Sequence, residues 1–352
     1  MITNSIAAIK CLTIERSNAS DRIPAFDFTK GVLVLFMVLY HWLNYFYGPQ
    51  GDIYKYLRFL TPSFIFITGF LISHVHFSKY GVASPRLSKR LFFRGLKLLA
   101  LFIVLNLAIS RLEPDSFLRH FLEARSTLAS LDAVFFTARI VPAGIGKLAA
   151  FGILVPISYL LILAALLSLA CRSFKYTFHL ASAILLLGMV NLGLHGVQSG
   201  NLEFVTIGLI GVVFGYVSKQ DLDKVASNPW LILSLYCLYL VAITLWNVSI
   251  YVQMLGAVLT TTLIYVIGLW ASKGRLQDHL ILLGRYSLFG YIAQIAILQS
   301  VHAFLRHAGV SWTRLGGSLV AGFVLTMLSV EAVNRGRALS KTVDGAYKTV
   351  FA

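Results

Sequence analysis

The sequence is short of charge. Only 12% of its 352 residues are Asp, Glu, Lys or Arg, about half the fraction found in a soluble domain. That scarcity excludes a separate water-covered domain of ordinary size. Cysteine is also rare. Cys11, Cys171 and Cys237 stand far apart and form neither a disulfide nor a metal-ligand pattern, so they are read as free thiols and no metal site is expected. The phosphate-cradling pattern GxxxxGK[ST], the zinc pattern HExxH and the nucleophile elbow GxSxG are all missing. ATP hydrolysis, zinc proteolysis and α/β-hydrolase chemistry therefore lose their usual support. The alternating ten-residue strands of a membrane barrel are absent. So is an internal repeat, the signature of many transporters.

What is present is apolar length. Hydrophobic residues make up 58% of the chain and the mean hydropathy is +0.78. Long apolar runs near 29–47, 55–77, 91–110, 147–171, 177–196, 201–218, 229–247, 251–272, 280–304 and 316–334 predict an all-α, polytopic transmembrane bundle of about ten spans. Residues 1–24 then form an N-terminal tail, 25–335 the membrane domain and 336–352 a C-terminal tail. An even number of spans puts both termini on one side. With the termini inside, the inner segments hold 21 of the 30 Lys and Arg, so both tails are expected in the cytoplasm. The same bias explains the net charge of +16 without nucleic acid. Lys10, Glu15 and Arg16 interrupt the tail Met1–Asp21, and the first span is expected to be an uncleaved signal anchor.

The loop Arg111–Gly146 falls outside on this topology. Phe117, Phe121, Ala124, Leu128, Leu131 and Phe135 recur there at helical spacing and predict an amphipathic helix at the outer interface. Its plain role is packing over the bundle; its alternative role is a lid or floor for an extracytoplasmic substrate. Pro156 predicts a kink in the fourth span. Gly208, Gly211 and Gly215 predict a close helix approach on the sixth.

The chain is organised around Arg22–Phe46, which ends the polar tail, opens the first span and carries His41 inside it. At about 1.5 Å per residue, His41 lies roughly 16 Å beyond Lys30, near mid-membrane if Lys30 marks one face. An ionisable group there either bonds to a neighbouring helix or faces a functional cavity. Tyr40, Trp42 and Asn44 flank it, and Ser287 and Tyr291 share one face of the ninth span; all five are candidate cavity liners. Arg86, Arg90, Arg94 and Lys97 recur on one helical face at the cytoplasmic end of the third span. Such a stripe anchors the protein at the inner face or holds phosphates. His74 and His76 lie two apart and make a poor metal pair. Glu331 and Arg335 read as a structural ion pair.

Three segments carry a resemblance. The first is Asp27-x-x-Lys30-Gly31 followed by His41; the second is Pro62-Ser63-Phe64-Ile65-Phe66-Ile67-Thr68-Gly69-Phe70-Leu71-Ile72-Ser73; the third is Leu283-Gly284-Arg285-Tyr286-Ser287-Leu288-Phe289-Gly290-Tyr291. In this order on about ten spans they resemble the acyltransferase family 3 superfamily of integral-membrane acyltransferases. The membrane glucosaminide N-acetyltransferases and the glucan succinyltransferase branch are similar as well. Lys30 replaces the family's usual arginine, Thr68 the serine before Gly69-Phe70, and Gln294 stands where many members have a late histidine.

The resemblance implies transfer of an acyl group, most simply acetyl, from cytoplasmic acyl-coenzyme A to a carbohydrate-like acceptor. That acceptor, a glycan or another hydroxyl or amine, would lie at the membrane or its outer face, in a bacterial inner membrane and in polysaccharide modification. Acyl-coenzyme A is a donor substrate here and not a bound cofactor. His41 would be the base or a covalent acyl carrier. Lys30, Arg90 and Arg94 would hold the donor phosphates, with Asp27 and Gly69 structural. The rival class is a transporter or lipid flippase with His41 on a substrate or proton path.

Overall fold

The computed structural model describes residues 23–47, 51–110, 127–138, 150–171, 174, 176–271, 274–305 and 312–351. Among them the chain is helical and contains no strand. The protein is an all-α polytopic bundle, and its surface bears this out. Leu187, Leu194, Trp230 and Leu238 are each at least 65% exposed, which a water-soluble fold would not tolerate over so many large apolar side chains.

Helix α1 spans Pro24–Trp42 and continues as a π-helical stretch, Leu43–Tyr47. Pro24 starts it, because its fixed φ and missing N–H suit the first helical turn. After α2 (Gly51–Tyr54), α3 (Leu60–Leu71) runs into a second π-helical stretch, Ile72–Phe77, and then α4 (Ser78–Tyr80). Next come α5 (Pro85–Ser110), α6 (Thr127–Phe135), α7 (Leu154–Ala170), α8 (Thr177–Leu194) and α9 (Gly200–Phe214). The chain continues with α10 (Lys219–Ala226), α11 (Pro229–Leu245) and α12 (Ile250–Trp270). It closes with α13 (Arg275–Arg285), α14 (Ser287–Leu305), α15 (Trp312–Leu339) and α16 (Lys341–Phe351).

Among the described residues seven helical stretches are long and apolar enough to cross a membrane, or up to eight if the bent pair of α10 and α11 is one span. Helices α7 and α9 are shorter apolar helices of 17 and 15 residues. With α11 they fill the three remaining apolar segments of the sequence.

Helix α1 is the hub, packing against α3, α12, α13, α14 and α15. Two glycine crossings set the distances. A Cβ on Gly31 would collide with the carbonyl of Leu280, and one on Gly284 with the carbonyl of Asp27, so α1 and α13 meet backbone to backbone. In the same way Gly69 faces the carbonyl of Gly208 and Gly211 that of Phe66, locking α3 to α9. The small residues predicted to admit a close helix approach do so.

Two expectations change. The ninth apolar run is broken at Tyr286: α13 is a separate amphipathic helix and the span begins at Ser287. Pro156 lies in the first turn of α7, where proline is tolerated, so it produces no mid-span kink. In the C-terminal tail Lys341–Phe351 is helical and folds back on α15. The predicted interfacial helix is described only over Thr127–Phe135; Phe117, Phe121 and Ala124 lie outside the described residues, as do the tail 1–22 and Cys11. Its described part packs on the bundle. Tyr159 Oη donates to the Phe135 carbonyl, Ser199 Oγ to that of Phe136 and Asn201 Nδ2 to that of Val134.

Candidate functional site: two cavities flanking His41

The three resembling segments, more than 200 residues apart at their extremes, converge on α1. At its start Asp27 is 8% exposed. Its carboxylate lies 2.7 Å from Lys30 Nζ and 3.8 Å from Arg285 Nε. Two cations on one buried carboxylate compensate its desolvation. The glycine crossing of α1 and α13 brings Arg285 into reach. Asp27 thus joins Lys30 of α1 and Arg285 of α13 at this basic end, and Gly69 lies at the α3–α9 crossing.

A cavity of about 180 Å³ opens beside this ion cluster. Lys30, His76, Arg94 and Ser287 line it, and so do Met37, two turns along α1 from Lys30, Phe64, and Tyr291, one turn along α14 from Ser287. The walls between are apolar, including Ile67, Leu98 and Ile157. It is therefore a slot with cationic groups at one end and an aromatic floor at the other. Thr68 also lines it and donates its hydroxyl to the Phe64 carbonyl at 2.7 Å.

The structure separates the basic stripe. Arg94 faces the cavity. Arg90 is exposed and donates to Tyr80 Oη at 2.7 Å, its guanidinium lying over that ring. His76, not Arg90, joins Lys30 and Arg94 in the lining of the slot, with Arg94, Arg90 and Lys79 in its electrostatic reach. The two histidines split as expected: His74 Nδ1 sits 3.3 Å from the Gly215 carbonyl on the opposite side.

His41 lies in the last turn of α1, closer to the far end of that span than to its start. Its ring centroid is 5.2 Å from Tyr40 and 6.2 Å from Tyr291. Tyr291 belongs to the basic cavity. Tyr40 lines a second pocket of about 260 Å³ on the other side, with Tyr54, Arg58, Thr61 and Gln253 as its polar lining and Leu57, Phe204 and Ile250 among its apolar walls. Tyr54 Oη donates to Asn44 Oδ1 at 2.5 Å, and Asn44 Nδ2 donates to the Tyr40 carbonyl at 3.1 Å. Burial pushes the Tyr54 hydroxyl up to about 12, so it remains a proton donor at neutral pH.

Of the sequence-predicted liners, Tyr40, Ser287 and Tyr291 are brought to the cavities. Trp42 is not. It is buried and donates Nε1 to Ser318 Oγ on α15 at 2.8 Å, because one residue of helix turns it about 100° from His41. Asn44 is exposed and braces Tyr54 without lining either cavity. Tyr54, Arg58 and Gln253 escaped the sequence reading, which weighed His76 only as half of a metal pair, since no local pattern joins positions on separate helices. Gln294 also belongs here. It is fully buried one turn beyond Tyr291, and neither of its amide atoms has a hydrogen-bond partner among the described residues. Tyr291 reaches His41, and Leu298 packs with Val38 and Trp42. Gln294, between them on α14, occupies the face turned toward α1.

At the basic end α16 closes over the Tyr286 break. Arg337 donates Nε and Nη2 to Asp344 Oδ1 at 2.8 and 2.7 Å, and Nη1 to Tyr286 Oη at 3.1 Å. Its guanidinium lies 4.2 Å from the Tyr347 ring centroid. Lys348 and Arg337 hold the Asp344 carboxyl below its ordinary range. Among the described residues no three His, Cys, Asp or Glu side chains gather as a metal site. Compared with known proteins, the chain matches no family model, no curated protein and no solved structure.

Proposed function

We propose that this integral membrane protein is an acyltransferase that moves an acyl group, acetyl in the simplest case, from cytoplasmic acyl-coenzyme A to a hydroxyl- or amine-bearing, carbohydrate-like acceptor. The observation that carries this reading is the position of His41, which lines neither cavity itself but lies against one lining tyrosine of each, Tyr291 of the slot that holds Lys30 and Arg94 and Tyr40 of the separate pocket. Lys30 and Arg94 suit donor phosphates, and the apolar slot suits the thin pantetheine arm leading to the thioester. On the inside-termini topology the slot opens to the cytoplasm and the second pocket faces outward, in the inner membrane of a bacterium.

In the step itself His41 takes the proton of the acceptor hydroxyl or amine as its oxygen or nitrogen bonds to the thioester carbon. The carbon–sulfur bond breaks, and the departing thiolate takes a proton back from the imidazolium. An imidazole suits both transfers because its ordinary pKa of about 6.5 lies near working pH.

The same pair of cavities would serve a transporter, so the test must separate turnover from passage. Membranes containing the chain are given acetyl-coenzyme A labelled in the acetyl group. Label should enter the carbohydrate fraction, and His41→Gln, which keeps a hydrogen-bonding side chain but takes up no proton near pH 7, should lower that rate by about 10²–10⁴ at unchanged protein level. Label carried intact across the membrane, or near-normal transfer by His41→Gln, would overturn the reading.

A further inference from the structure

We infer that the pocket on the Tyr40 side of His41 is an anion-selective site, and that the acceptor it takes is a small hydroxylated compound bearing a negative charge, such as a uronic acid. Only the word acceptor rests on the acyl-transfer reading; the anion selectivity rests on the pocket itself.

The size of the pocket limits its occupant. About 260 Å³ is just under the range of about 300–1,000 Å³ typical of ligand sites, so one ring fits and a chain does not. Its lining combines aromatic and apolar walls with a few converging polar groups, the usual composition of a small-molecule site. Tyr40 and Tyr54 meet at 5.4 Å between ring centroids, nearly edge to face, and both line the pocket. Thr61 and Gln253 supply neutral hydrogen-bonding groups. Gln253 spends its Nε2 on the Val248 carbonyl at 3.3 Å, which leaves its carbonyl oxygen as an acceptor for a hydroxyl.

Arg58 gives the pocket its sign. It lines the cavity, and among the described residues it pairs with no carboxylate. Glu203, next to the lining residue Phe204, makes no ion pair with it either. Most cations of this chain sit at the other end of the bundle, where they fit the positive-inside bias. Arg58 runs against that bias, so anchoring does not explain it. A planar guanidinium at the wall of a polar pocket is suited to gripping a carboxylate through two N–H groups.

The charge can be read without knowing the acceptor and without any turnover. The full chain is purified in detergent, so both faces are open and topology plays no part. Its cysteines are replaced by serine and Thr61→Cys is introduced. The rates of modification by methanethiosulfonate ethylsulfonate, an anion, and by its trimethylammonium counterpart, a cation, are compared with those of Asn247→Cys on the exposed link before α12. The anion-to-cation ratio should be about tenfold higher at the pocket than at the link, from the Arg58 charge, exposed to solvent but one helical turn from Thr61 on the same pocket wall. Arg58→Gln should abolish the difference and Arg58→Lys should keep most of it. D-glucuronate should slow modification in the pocket, and D-glucose at the same concentration should not. Equal ratios at both positions, a preference that survives Arg58→Gln, or equal effects of the two sugars would overturn the inference. Loss of acyl transfer with the charge preference intact would instead count against the acyltransferase reading alone.

Discussion

Arg90 and Arg94 are neighbours on one face of α5, yet the structure gives them different surroundings, and this yields a quantitative test. Arg94 lines the slot, while Arg90 is exposed and tied to Tyr80. A charge-assisted hydrogen bond in a partly buried site is worth about 1.5–3 kcal/mol, or roughly ten- to a hundredfold in affinity. An exposed ionic contact is screened and is worth about 0.2–1 kcal/mol, fivefold at most. Arg94→Ala should therefore weaken acetyl-coenzyme A binding by ten- to a hundredfold in calorimetry on the purified protein, and Arg90→Ala by no more than about fivefold. Arg94→Lys should recover only part of the loss, because the charge survives and the two-pronged geometry does not. Raising the salt should erase the Arg90 effect before the Arg94 effect. The Arg94 stem also covers apolar surface, so thermal midpoints are recorded beside the affinities. Equal losses in the two alanine variants, or donor affinity within twofold of wild type in Arg94→Ala with its fold intact, would refute the assignment of the slot to the donor.

Gln294→Leu removes a buried amide with no hydrogen-bond partner among the described residues. It should raise the thermal midpoint, since an unsatisfied buried polar group costs about 1–3 kcal/mol, and lower acyl transfer if that amide is held for substrate; a variant with unchanged transfer would make Gln294 architectural. Asp344 is stabilised in its charged form by Lys348 and Arg337. Its folded-state pKa is depressed, so the docking of α16 it supports is fully present above the ordinary carboxylate range and is lost as pH falls through the lowered value. Hydrogen exchange over 341–351 should rise below that range in the wild type and at neutral pH in Asp344→Asn; protection unchanged in the variant would remove the ion pair from the docking of α16.

The fold was largely legible because the membrane makes one demand on sequence, a long apolar helix, and ten such segments stand out. The break at Tyr286 was hidden for the same reason: Leu280–Tyr291 is apolar enough to read as one span, although Arg275, Asp278 and Arg285 already marked a helix with a polar face. Neighbours in sequence also misled. Tyr40, His41 and Trp42 look like one cluster, but successive residues on a helix diverge by about 100°, and Trp42 leaves for Ser318. Arg90 and Arg94 share a face, and only the slot tells them apart. His76 needed the π-helical turn at Ile72–Phe77, which no hydropathy pattern announces. The pocket of Tyr54, Arg58 and Gln253 joins two separated stretches of chain, and only tertiary packing could reveal it.

The reason for two cavities, on the acyl-transfer reading, lies in the chemistry of a thioester. Water is a competing acceptor, so a donor and an acceptor arriving from opposite faces must meet where water does not. A single open channel through the bundle would fail that requirement. The arrangement around His41 meets it with rings: Tyr40 stands on the pocket side, Tyr291 on the slot side, and Phe151 packs edge-on against Tyr291 at 6.0 Å. Closing off water also strengthens every charge in the site. That gives the location of the charges a meaning. Lys30 and Arg94 line the slot together with Tyr291, Arg58 lines the other pocket, and the His41 ring stands between Tyr291 and Tyr40. Fixed cations at the two mouths bind their ligands without sitting on the reacting carbon, where they would disfavour the imidazolium the transfer requires.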